Sequence, residues 1–182
     1  MKINTKLILK VLNVLSWIIF IGVCIEAGGS IFSSIYTLTI NPINAATFWV
    51  KNDLSALYKY DPGYFFVETL LISITAVLKT FIFYLTIKIL QNKKLDMSQP
   101  FSEEIRLFIL RVSYLTFGIG LFTWAGFGYT EWLIKLGIKM PDTQHLRLGG
   151  ADVWLFMAVT LFVIAQIFKR GIEIQSENEL TV

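Results

Sequence analysis

FIGVCIEAGGSIFSSIY, residues 20–36, sets one carboxylate, Glu26, inside a run that is otherwise apolar, small or hydroxylated. With its neighbours the run extends over 7–38, longer than the roughly 20 residues that a helix needs to cross a hydrocarbon core. It therefore reads as a membrane span that tilts, breaks near Gly28-Gly29, or continues beyond the bilayer. An ionisable group at membrane depth is costly and marks a functional candidate, although a helix reaching the interface also carries one. At about 1.5 Å per residue Glu26 lies roughly 24 Å along the helix from Lys10, which places it in the outer part of the membrane.

Three more apolar runs of spanning length follow, at 64–90, 105–127 and 151–168. Composition agrees: of 182 residues 55% are hydrophobic and only 16% charged, against about 25% charged in soluble domains. Aromatic residues make up 15%, led by 15 Phe, a content that lipid tolerates and water does not. The expected fold is all-α, a single domain over 1–182: a four-transmembrane-helix integral membrane bundle. Between the first two spans, Asn41-Pro42 and Asp61-Pro62-Gly63 are breakers, and 46–58 between them reads as an amphipathic interfacial helix. Ahead of the third span, Ser102 reads as an N-cap, with Glu103 and Glu104 favourable in the first turn. That span can continue to Leu136 before the loop MPDTQHLRLGG.

Cations set the orientation. Lys2, Lys6, Lys10, Lys88, Lys93, Lys94, Arg106, Arg111, Lys169 and Arg170 flank one side, and Lys51, Lys59, Lys135, Lys139 and Arg147 the other, with Lys79 left inside a span. The positive-inside rule then puts both termini in the cytoplasm. The small residues Ala27 to Gly29 resemble a signal-peptide cleavage region, but apolar character resumes at once, as in a retained helix. Val23, where lipoprotein processing needs a small residue, argues against an anchor on Cys24.

Glu68 and Lys79 are eleven residues apart, almost three turns, and so share one helical face. That face should point away from lipid, because an unpaired Lys at mid-depth is disfavoured. Lys79 can reach Glu26 if the first two helices touch, or snorkel to the cytoplasmic side. The functional reading of Glu26, Glu68 and Lys79 is an ion pair or ligand site facing a small outward-open cavity; the plain one is a structural pair. Gly29 with Ser33 and Ser30 with Ser34 form small-xxx-small pairs, which serve packing within the chain and, less simply, a homo-oligomer.

Other chemistry finds little support. One cysteine allows no internal disulfide, and one histidine, His145, has no clustered partners, so no metal or cofactor is expected. Glu131, Asp142, Asp152 and His145 fall on the outer side without a paired catalytic motif. Asp152 reads as the acid at a helix N-terminus. The glycines of FGIGLFTWAGFG lack the context of a nucleotide loop. The basic residues follow membrane flanks rather than one face, which speaks against direct nucleic-acid binding.

After Lys169-Arg170 the chain turns acidic, and Gly171 reads as the point where the helix ends or loosens. Residues 171–182 are then a cytoplasmic tail in which Glu173, Glu177, Glu179 and Leu180 are candidates for docking a cytosolic partner. The ending FVIAQIFKRGIEIQSENELTV and the turn QPFSEEIRLFILR resemble segments of the bacterial membrane family known as domain of unknown function 2975. Glu179-Leu180 stands where that family more often has Asp-Leu, and the first extramembrane loop carries little of the resemblance. The resemblance implies a small four-helix membrane protein of the bacterial inner membrane, often encoded beside a helix-turn-helix regulator, and no catalytic residues. The expected function is a non-enzymatic sensory or regulatory membrane component; the alternative is a small transporter, channel subunit or ligand-binding bundle.

Overall fold

The computed structural model describes residues 5–49, 52–92 and 101–179, with the side chains of 5–6 and 178–179 left aside. Helix α1 runs over Thr5–Thr39, a 3₁₀ helix over Pro42–Thr47, α2 over Ser55–Tyr60, α3 over Pro62–Leu90, α4 over Glu103–Lys135 and α5 over Ala151–Glu179. No strand occurs among the described residues. Helices α1, α3, α4 and α5 are each long and apolar enough to cross a membrane.

Helix ends follow from local chemistry. Asp61 closes α2 and caps α3, its Oδ1 accepting from Gly63 N at 2.6 Å and Tyr64 N at 3.1 Å with Pro62 at the first position. Pro there sacrifices no hydrogen bond and presets φ. Ser102 caps α4, accepting from Ile105 N at 3.3 Å, as expected. Helix α1 does not break at Gly28-Gly29; the Trp49 ring packs in the space that a Cβ on Gly29 would need.

The long helices pack in chain order, α1 on α3, α3 on α4 and α4 on α5. No Cα of α1 lies within 8 Å of one in α4 or α5, so the four form an open row rather than a closed bundle. The seam of α1 reads Asn13, Ser16, Phe20, Val23, Ala27, Ser30, Ser34, Thr37, buried or half-buried at alternating steps of three and four. Small side chains at such a seam let backbones approach where no hydrophobic effect drives helices together. Most buried hydroxyls bond back along their own helix, Thr37 to Ser33 O at 2.7 Å and Ser73 to Thr69 O at 2.7 Å, which leaves few unsatisfied groups. Among the described residues three hydroxyls donate between the long helices: Thr80 to Val23 O at 3.3 Å, Ser113 to Ala158 O at 2.8 Å and Thr130 to Glu68 at 2.7 Å.

The hydrophobic core lies at one end of the row, under a cap made by residues 40–49, 52–61 and 136–150. Phe48, Leu54, Leu57, Phe65, Leu133, Leu146 and Leu148 are fully buried there, with Phe48 and Tyr58 edge-on to Phe65. In place of one interfacial helix over 46–58, the described residues form the end of the 3₁₀ helix, at Thr47, and then α2 from Ser55. The chain turns through a bridge between Phe48 and Asn52, and Asp53 starts α2 by accepting from Ser55 N at 3.0 Å. The Ser55 hydroxyl and amide hold the Asp53 carboxyl below its usual pKa. Phe48, Leu54 and Leu57 face protein because the loop folds back on the ends of α3 and α4.

Two aromatic levels mark the row. Tyr64 and Trp132 touch at 5.3 Å near the cap, while Tyr84 and Tyr114, level in the same α3–α4 register, are exposed near the other end. Tyr64 and Tyr84 are about 30 Å apart along α3, which matches a hydrocarbon core.

Candidate functional site

The site begins with a turn. Leu148 N donates to Thr143 O at 2.9 Å and Arg147 N to Gln144 O at 3.1 Å, the hydrogen-bond pattern that ends a helix with a left-handed residue. That residue is Arg147, at φ 61°, where glycine is usual. Leu146 and Leu148 on either side are fully buried and pin the turn. Leu148 enters the wall of α4 because Gly126 has no side chain; a Cβ there would lie 2.8 Å from Leu148 Cδ2. With its neighbours fixed, Arg147 extends to Glu26 on α1, Nη1 to Oε2 at 3.3 Å.

Lys79 stands beside this pair, its ammonium 5.7 Å from the centre of the Trp154 ring on α5, within cation–π range. A narrow cavity of about 20 Å³ lies behind Glu26, Lys79, Arg147, His145 and Asn52, room for about one water molecule. In front, an open groove of about 330 Å³ is lined by Lys79, Gln144, Arg147, Gly149 and Gly150. Asn52 ties the two cap segments together, donating to His145 O at 3.4 Å.

Heights follow from the interhelical contacts. Thr80 bonds to Val23, and Leu155 packs at Gly120, so Glu26, Lys79 and the start of α5 lie between the two aromatic levels. Residues 136–150 reach past the level of Tyr64 and Trp132 and α5 begins there; irregular backbone between spans is tolerated where protein buries it or a cavity borders it.

Glu26 and Lys79 line one cavity, but the ion pair of Glu26 is with Arg147. Glu68 stands apart, fully buried between α3 and α4: Oε1 accepts from Thr130 and Oε2 has no partner among the described residues. Sequence reasoning missed Arg147 and Trp154. The signal for Arg147 was faint, one cation between two leucines just ahead of Gly149-Gly150.

At the far end of α5 the tail expected at 171–182 is helical through Glu179. Gly171 does not end the helix; the Phe101 ring lies against it, where a side chain would stand, and also meets Phe168 edge-on at 5.4 Å. Glu173 is held by Arg170 at 3.0 Å, one turn back. Glu177 continues the helix, whereas the Glu179 side chain and Leu180 lie outside the described residues.

The family described as Protein of unknown function (DUF2975) matches residues 36–182. The chain belongs to this family. The match includes Glu68, Lys79, Arg147 and all of α5, and it spans the 40–61 segment where motifs show little likeness; Glu26 lies before it. No curated protein and no solved structure matches the chain. Family and fold together make this a multi-pass membrane protein.

Proposed function

We propose that this chain is a non-enzymatic sensory or regulatory component of the bacterial inner membrane, with both termini in the cytoplasm and a cytosolic partner. One observation carries the reading: α5 starts four residues after Arg147 and runs unbroken to Glu179, a rod of roughly 42 Å. A change at the Glu26–Arg147 contact therefore acts on the start of an element whose other end reaches the basic, cytoplasmic side. Ion pairs of this kind, part exposed and part buried, are weak enough to open. The partner that the family resemblance favours is a helix-turn-helix regulator.

In-cell crosslinking of the full chain and of one truncated after Gly171, at matched membrane levels, tests this. The expected result is capture of a DNA-binding regulator by the full chain alone; equal recovery, or none, refutes it. A small transporter, channel subunit or ligand-binding bundle is the second reading, favoured by the Lys79 ammonium at membrane depth. The cavity behind the ion pair has room for about one water, so a ligand in this reading would enter by the open groove in front of it.

A further inference from the structure

The charges around Glu26 do not balance. Its single carboxylate meets Arg147 at 3.3 Å, and Lys79 has no carboxylate within 4 Å among the described residues. Two cations against one anion leave a net positive charge in the slab between the aromatic levels. There an unbalanced cation is costly unless an anion or water answers it. The Trp154 ring faces the ammonium from one side only.

The place for an anion is already built. The open groove of about 330 Å³ has Lys79 and Arg147 on its walls, the Gln144 amide beside them, and Gly149 and Gly150 presenting bare backbone. Arg147 holds its place in a left-handed conformation that costs an ordinary residue about 1–2 kcal/mol. Strain kept at a charged groove is a mark of a binding site. Just beyond, Val153 and Phe156 on the first turns of α5 are exposed and apolar, a surface suited to an acyl chain.

We propose that this groove binds an oxyanion, a phosphate or carboxylate, with Lys79 and Arg147 as its charged ligands and the head of a membrane amphiphile as the bearer that its depth favours. The bound anion competes with Glu26 for the Arg147 guanidinium and so loosens the contact that ties residues 136–150 to α1. This supplies the input to the regulatory role proposed above and rests on it for its meaning, but not for its test.

The test is direct binding to the purified full chain, by native mass spectrometry and thermal unfolding. The probes are phosphatidylglycerol added to phosphatidylcholine nanodiscs, oleate, and inorganic phosphate. The variants are Lys79→Gln and Arg147→Gly, the second chosen because glycine suits the backbone there, with Lys135→Gln as a control away from the groove. Retention of phosphatidylglycerol or oleate, weakened roughly tenfold or more in both variants and unchanged in the control, supports an amphiphile. Saturable phosphate binding lost in the same variants supports the site with a free anion as its occupant. Binding equal in all four proteins, or none of any probe, overturns the proposal. Anion binding without regulator capture would retire the regulatory reading and leave the site standing.

Discussion

Arg147 couples two opposed local energies, and substitution separates them. Glycine at this position removes the guanidinium and also the left-handed strain, whereas alanine removes the guanidinium and keeps the strain. The Glu26–Arg147 contact is 57% exposed on the Arg side and 21% on the Glu side, a geometry in which ion pairs contribute about 0–1 kcal/mol. Arg147→Gly should therefore be more stable than Arg147→Ala by about 1 kcal/mol in reversible denaturation; equal stabilities would show that the turn carries no strain. Glu68 poses the opposite problem, because it is fully buried and rests on one hydroxyl. Thr130→Val keeps the volume and removes that donor, and should cost about 1–3 kcal/mol, the range for an unsatisfied buried group. Thermal unfolding of this variant beside Glu68→Gln,Thr130→Val checks the attribution, since the double change should recover part of the loss.

Glycines within one helix do opposite things, and α4 shows it within a single turn. At Gly126 an added methyl would run into Leu148, which is fully buried and cannot swing away, while at Gly128 nothing lies within 4 Å. Gly126→Ala should lower the unfolding temperature, and Gly128→Ala should raise stability by about 0.5–1 kcal/mol through helix propensity alone. A loss at both positions would mean that the surface of α4 near Gly128 is covered by something else. The same contrast explains what the sequence revealed of these elements. Span positions were legible because apolar runs have a required length, and the starts of α3 and α4 because Asp61-Pro62 and Ser102 are capping chemistry. The continuation of α5 past Gly171 was not, since the reason for that glycine is the Phe101 ring, brought there by tertiary packing. Nor was the cap: Phe48, Leu54 and Leu57 have the spacing of a lipid-facing segment, and only the fold shows that they face protein. Glu26 and Lys79 declared themselves by being charged within apolar runs. Arg147 did not, because it lies in a loop that reads as water-exposed until its descent beside α1 is seen.

At the scale of the whole molecule, the open row places coupling in a small number of contacts. Helix α1 touches α3 along its seam and meets the start of α5 through the Glu26–Arg147 pair, with no backbone approach to α4 or α5 to duplicate that link. Near its far end α5 is seated by Phe101 at Gly171 and Phe168. Between these ends α5 packs on α4, with Ser113 donating to Ala158 O and Leu155 set against Gly120, and a change at one end reaches the other only if that packing, in which Ala158 and Ala165 are buried, stays intact. Glu26→Gln should then speed hydrogen exchange at the 143–150 amides, because Arg147 loses its charged partner while the turn keeps its own hydrogen bonds. Amides in the middle of α4, between Thr116 and Thr123, should be unaffected. The decisive segment is 168–179. Faster exchange there in Glu26→Gln, with no further change when the same substitution is made on top of Arg147→Gly, would show that the pair acts on the far end through α5. Exchange altered only at 143–150 would confine the ion pair to holding the cap, and the regulatory reading would then have to find its route through α3 and α4.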